Sequence, residues 1–147
     1  MLFRSTLRIT VQGSISNIVT TPGTITLQHN LGTVAAFSTG AIQLNATAHT
    51  TLPFELVTTL TCRAVGASTS ANLMGIGHLR GVMFTKTAGQ TDQANIGDSI
   101  MVPATAPAVG TGFDSTAAQT LDFFAGFSIS NVGNQIQIQN YVVEALN

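Results

Sequence analysis

Residues 53–63, Pro53-Phe54-Glu55-Leu56-Val57-Thr58-Thr59-Leu60-Thr61-Cys62-Arg63, decide the fold class. Phe54, Leu56, Leu60 and Cys62 share one face of an extended chain, and Glu55, Thr59, Thr61 and Arg63 share the other. Successive side chains of a strand point to opposite faces, so an apolar period of two marks a half-buried strand. The same period runs outward in both directions. Leu7, Ile9 and Val11 alternate with Arg8, Thr10 and Gln12; Ile25 and Leu27 alternate with Thr24, Thr26 and Gln28. Ile136 and Ile138 alternate with Gln135, Gln137 and Gln139, and Leu121, Phe123, Ala125, Phe127 and Ile129 form the longest uninterrupted apolar row.

Turn chemistry separates these runs. Thr21-Pro22-Gly23, Leu31-Gly32, Thr39-Gly40 and Val65-Gly66-Ala67-Ser68 are all turn-forming. Asn131-Val132-Gly133-Asn134 lies between two long strands and predicts a hairpin. In the last strand the apolar phase slips from Ile136 and Ile138 to Tyr141 and Val143, which predicts a β-bulge near Asn140. The 116–121 stretch is too short for a helix. Residues 85–112 are the least regular, with Pro103 and Pro107, and predict a projecting excursion carrying one or two short strands. Seven or eight antiparallel strands in one domain, residues 1–147, predict an all-β, two-sheet β-sandwich of the jelly-roll kind.

Charge sets the chain apart. Charged residues make up 7% of it, against about 25% in an average globular protein. The five cations Arg4, Arg8, Arg63, Arg80 and Lys86 are scattered and the net charge is -1, so the clustered cations that bind nucleic acid or anionic lipid are missing. No apolar run reaches the roughly 18 residues of a membrane-spanning helix. The N-terminus lacks the pattern of a secretory signal, which points to synthesis in a cytoplasm. So little charge gives weak protection against self-association, and a surface covered by partners is the expected consequence.

Catalytic and metal-binding patterns are sparse. His29, His49 and His78 lie on separate segments, and neither HxH nor HExxH occurs. His78 shares a face with Met74, Ile76 and Val82 and reads as a surface or interface residue. Asp92, Asp98, Asp114 and Asp122 are too widely spaced for a calcium loop, and Asp114 reads as a turn cap. Gly75-Ile76-Gly77 has Arg80 where a dinucleotide fingerprint needs its third glycine. Glycines within a strand mark close approach of a neighbour instead. Cys62 sits beside Leu60 on the apolar face and reads as a small core residue. Phe123, Phe124 and Phe127 lack interleaved basic residues and read as core rather than as a base-stacking platform. These residues predict neither an enzyme nor a cofactor site.

Three stretches resemble small virion surface proteins of tailed bacteriophages. They are residues 53–66, ending in Arg63-Ala64-Val65-Gly66, then Phe113-Asp114-Ser115-Thr116-Ala117-Ala118-Gln119-Thr120-Leu121-Asp122, and the ending Gln139-Asn140-Tyr141-Val142-Val143-Glu144-Ala145-Leu146-Asn147. The resemblance covers residues 52–147 well and 6–51 loosely. It implies a head decoration or cement protein, commonly a homotrimer, that bridges major capsid protein subunits on the capsid exterior. Those relatives carry a further strand region before the counterpart of residues 7–11, which leaves an edge here for a neighbouring chain to complete. The contacts are expected at Met1, Leu2, Phe3, Arg4 and Arg8 and, in the excursion, at Lys86, Asp92 and Asp98. A tail fibre or spike piece, or a carbohydrate-binding module, is the alternative; with no Trp and only Tyr141, the aromatic platform for a sugar is thin.

Overall fold

The computed structural model describes residues 5–18, 23–87, 99–104 and 112–146. These form ten strands and no helix. In chain order they are β1 (Thr6–Asn17), β2 (Thr24–Leu31), β3 (Val34–Ser38), β4 (Ile42–Leu44), β5 (His49–Ala64), β6 (Asn72–Arg80), β7 (Phe84–Thr87), β8 (Ile100–Val102), β9 (Leu121–Phe127) and β10 (Gln135–Ala145). Two antiparallel sheets pack face to face. The first runs β10-β1-β5-β6-β8. In the second, β2 pairs with β9 along one edge and with β3 and then β4 along the other, and β7 follows β4.

The alternation read from residues 53–63 is the alternation of burial. Phe54, Leu56, Leu60 and Cys62 are buried, as are Ile9, Val11 and Ile15 of β1 and Ile25 and Leu27 of β2. The core forms where these two inner faces meet. Tight turns join neighbours within a sheet. Gly32, with φ of 57°, takes the left-handed conformation of the β2–β3 turn, which costs a glycine nothing.

On the inner face of β6, Gly75 and Gly77 lie between Leu73 and Leu79. A side chain at Gly75 would run into the ring of Phe37 from the opposite sheet, at 2.8 Å, and one at Gly77 would meet the Val57 carbonyl, also at 2.8 Å. These glycines leave the volume that Phe37 occupies, which is the close approach their placement in a strand implied.

The final two strands depart from expectation in one respect. Residues 131–134 do not make a hairpin: β9 belongs to the second sheet, opposite β2, and β10 to the first, opposite β1. The 128–134 connection is an arch across the roughly 10 Å between layers. Its turn residues do act locally, since Asn131 Oδ1 accepts from the Gly133 amide at 2.9 Å. The arch is also tied to the ends of β1 and β2. Asn134 Oδ1 accepts from the Ile18 amide at 3.4 Å and Ser128 Oγ from the Thr24 amide at 2.7 Å. Local turn chemistry fits hairpin and arch alike; the strand edges already open on β1 and β2 select the arch.

The bulge lies where the phase slip placed it. Gln12 is opposite Asn140 and Gly13 opposite Ile138, so Gln139 has no counterpart on β1. A side chain at Gly13 would collide with the Gln137 carbonyl, so the glycine lets the bulged chain close on β1. The 85–112 excursion supplies β7 and β8, short edge strands of the two sheets, while residues 88–98 and 105–111 lie outside the described residues.

Candidate functional site

Of the residues expected to make contacts, Met1, Leu2, Phe3, Arg4, Asp92 and Asp98 lie outside the described residues. Arg8 lies on β1 with its guanidinium 3.9 Å from the Glu144 carboxylate of β10. Lys86 stands on β7 opposite Gln43, in the other sheet. Arg8 and Lys86 are therefore not brought together. Nor is β1 an open edge, because β10 and β5 flank it on both sides; β10 takes the edge position instead.

The side of the sandwich formed by β9 and β10 differs from the rest. In β10 the residues opposite buried Ile9 and Val11 are Val143 and Tyr141, which share their inward direction. Yet Ile138, Tyr141 and Val143 are 38%, 37% and 44% exposed. The inner row of β9, Leu121, Phe123, Ala125 and Phe127, is likewise only partly covered, and Phe124 on its outer face is 52% exposed. Each apolar row ends a sheet, so neither has a further strand beside it among the described residues. The sequence revealed that the rows were apolar; it did not reveal that two of them end their sheets on the same side.

At the base of this opening His29 of β2 is fully buried among aromatic rings. Its centroid lies 5.4 Å from that of Phe123, 6.0 Å from that of Phe37 and 6.2 Å from that of Tyr141 across the sheet gap. Neither ring nitrogen has a hydrogen-bond partner. Desolvation lowers its pKa from 6.5 to about 4, because a buried imidazolium loses hydration with nothing in return. At neutral pH the ring is uncharged and acts as a packing group. Tyr141 has its pKa raised, first by burial and then by the charge of Asp122.

A polar ladder crosses the outer face of the first sheet. Asn140 Nδ2 donates to Gln12 Oε1 at 3.0 Å, and Gln12 Nε2 donates to Glu55 Oε2 at 2.7 Å. Arg80 Nη1 stands 3.7 Å from Glu55 Oε1. These residues tie β10, β1, β5 and β6 side by side, as cross-strand polar pairs do. Beside them lies an open groove of about 400 Å³, floored by Gly13, Pro53 and Gly81. Both Glu55 oxygens are engaged, and among the described residues Glu55 is the groove's one carboxylate, with no imidazole beside it.

The remaining candidates fall into structural places. Cys62 is buried and its thiol faces the Ala64 carbonyl at 3.3 Å. His78 is exposed on the outer face of β6. Asp114 Oδ1 accepts from the Thr116 hydroxyl at 2.6 Å and the Thr116 amide at 2.8 Å, which lowers its pKa and caps the turn. Among the described residues, no three His, Cys, Asp or Glu side chains cluster closely enough to hold a metal ion. Comparison with protein-family models, with curated proteins and with solved structures finds no match.

Proposed function

We propose that this chain is a non-catalytic structural protein that works by association. In this reading it is a bacteriophage decoration or cement protein, bound to the outer surface of the capsid and bridging major capsid protein subunits. One observation carries the associative part: apolar side chains of β9 and β10 remain exposed along one side of a sandwich that has very little charge. Soluble monomers rarely leave a contiguous apolar patch larger than a few hundred Å² uncovered. The phage and capsid part rests on the sequence resemblance, and so does the homotrimer that it implies. The jelly-roll description belongs to the same proposal, supported by nested pairing of β1 with β10, β2 with β9, β4 with β7 and β5 with β6.

The test is direct. Purified protein added to capsids lacking it is expected to co-sediment with them and to raise the temperature and denaturant concentration at which they break open. Because the surface has few charges, binding should weaken little between low and high salt. Failure to co-sediment removes the capsid reading, and selective binding on a glycan array would favour the carbohydrate-binding alternative.

A further inference from the structure

We infer that the β9/β10 side binds a second copy of this chain, the two β10 strands pairing antiparallel about a two-fold axis so that the first sheets join into one. This goes beyond the capsid reading, does not depend on it, and sets a two-fold dimer in place of the homotrimer that the resemblance implies.

The first ground is the outer edge of β10, which has no strand beside it among the described residues. Natural sheets protect their edges with short strands, proline, lysine or inward-facing charge. The other outer strand of this sheet, β8, is three residues long. β10 is eleven residues long, has no proline or lysine, and carries Glu144 as its one charge. That charge is held on the outer face beside Arg8. An unprotected edge of this length is a pairing template.

The bulge sets the register in which a second copy fits. About a two-fold axis perpendicular to the sheet, an inward residue must meet an inward residue of the other copy. In β10 the bulge at Gln139 shifts the phase, so Ile136 and Ile138 point inward before it and Tyr141 and Val143 after it. Centring the axis between Gln139 and Asn140 then sets Ile138 opposite the second copy's Tyr141 and Ile136 opposite its Val143. Gln137 meets Val142 and Gln135 meets Glu144. Every pair is inward with inward or outward with outward, and Glu144 never faces itself. Without the bulge, an axis at that point would set inward residues against outward ones.

Size and symmetry agree. Eleven residues at about 3.4 Å each make an edge about 37 Å long, with the sheets about 10 Å apart. Counting side chains, a face about 20 Å deep buries about 700 Å² per copy, or about 1,400 Å² in all, the size of a stable interface. The β9 edges would approach across the same axis, and the partly exposed rows beside Phe123 and Tyr141 would cover each other. A head-to-tail ring that continued the sheets edge to edge would instead match this edge to β7 and β8, of four and three residues. Self-pairing leaves no such mismatch.

The experiment uses the purified chain without capsids. Analytical ultracentrifugation over a dilution series is expected to show a species of twice 15.2 kDa that dissociates at low concentration. Val143→Lys and Ile138→Lys should each raise the dimer dissociation constant at least about tenfold, a cost of about 1.4 kcal/mol. Circular dichroism should show both variants still folded. The double variant Gln137→Cys/Val142→Cys reports register without depending on either: on mild oxidation it should give a covalent dimer, since the two positions lie apart on one strand and opposite each other across the axis. A monomer at all concentrations, a trimer, or a wild-type dimer unaffected by the lysine variants and not cross-linked by the cysteine pair would overturn the inference.

Discussion

His29 is fully buried with neither ring nitrogen bonded, so the fold holds its neutral form. Its folded pKa, about 4, lies below the value of 6.5 for the exposed side chain. The unfolded chain therefore binds the extra proton first, and stability is fully present above pH 6.5 and falls as the pH drops toward 4. By pH 5 the loss from this one group is about 2 kcal/mol. Urea midpoints measured at pH 7.5 and pH 5 should show it, and His29→Leu should abolish that component while leaving stability at pH 7.5 unchanged or higher. Gly75 gives a second expectation at this scale. Gly75→Val pushes a side chain into the Phe37 ring and should cost about 1–3 kcal/mol. Because the two residues share one volume, Phe37→Leu should recover part of that loss, a departure from additivity that a double-mutant cycle would measure.

Single strands were largely legible. The two-residue period identified β1, β2, β5, β9 and β10, and the slip near Asn140 located the bulge, because both signals are local properties of the chain. The β9–β10 connection was not legible. Turn residues at 131–134 describe how the chain reverses, not which sheet receives it, and the open edges of β1 and β2 made that choice. The bulge yields an expectation of its own. Deleting Gln139 should turn β10 into a regular strand that still pairs with β1, since Asn140 and Ile138 would then face Gln12 and Gly13 in sequence. The monomer should stay folded, with stability changed by about 1–2 kcal/mol at most. The inward residues would still match, with Ile138 opposite the second copy's Tyr141 and Ile136 opposite its Val143 about an axis now passing through Asn140, so sedimentation should show the dimer retained.

Across the whole molecule, stability is expected to be graded. β1 and β5 are two of the inner strands of the first sheet, paired on both sides and lined by fully buried side chains, so their amides should exchange most slowly with solvent. In β10 the amides directed at β1 should be slow at any concentration. Those on the free edge should be protected in concentrated wild type and fast in Val143→Lys. Uniform protection along β10 in both would contradict the edge assignment. The sequence by itself determined that this is an all-β sandwich with very little charge, because strand period and composition can be counted along the chain without knowing what packs on what. It also contained the bulge and the glycines that let neighbours approach. Only the tertiary structure decided that β9 and β10 end their sheets on the same side, that Tyr141 and Val143 point inward yet stay uncovered, and that His29 loses its charge. Those properties depend on which strand lies beside which, and residues more than a hundred positions apart settle that together.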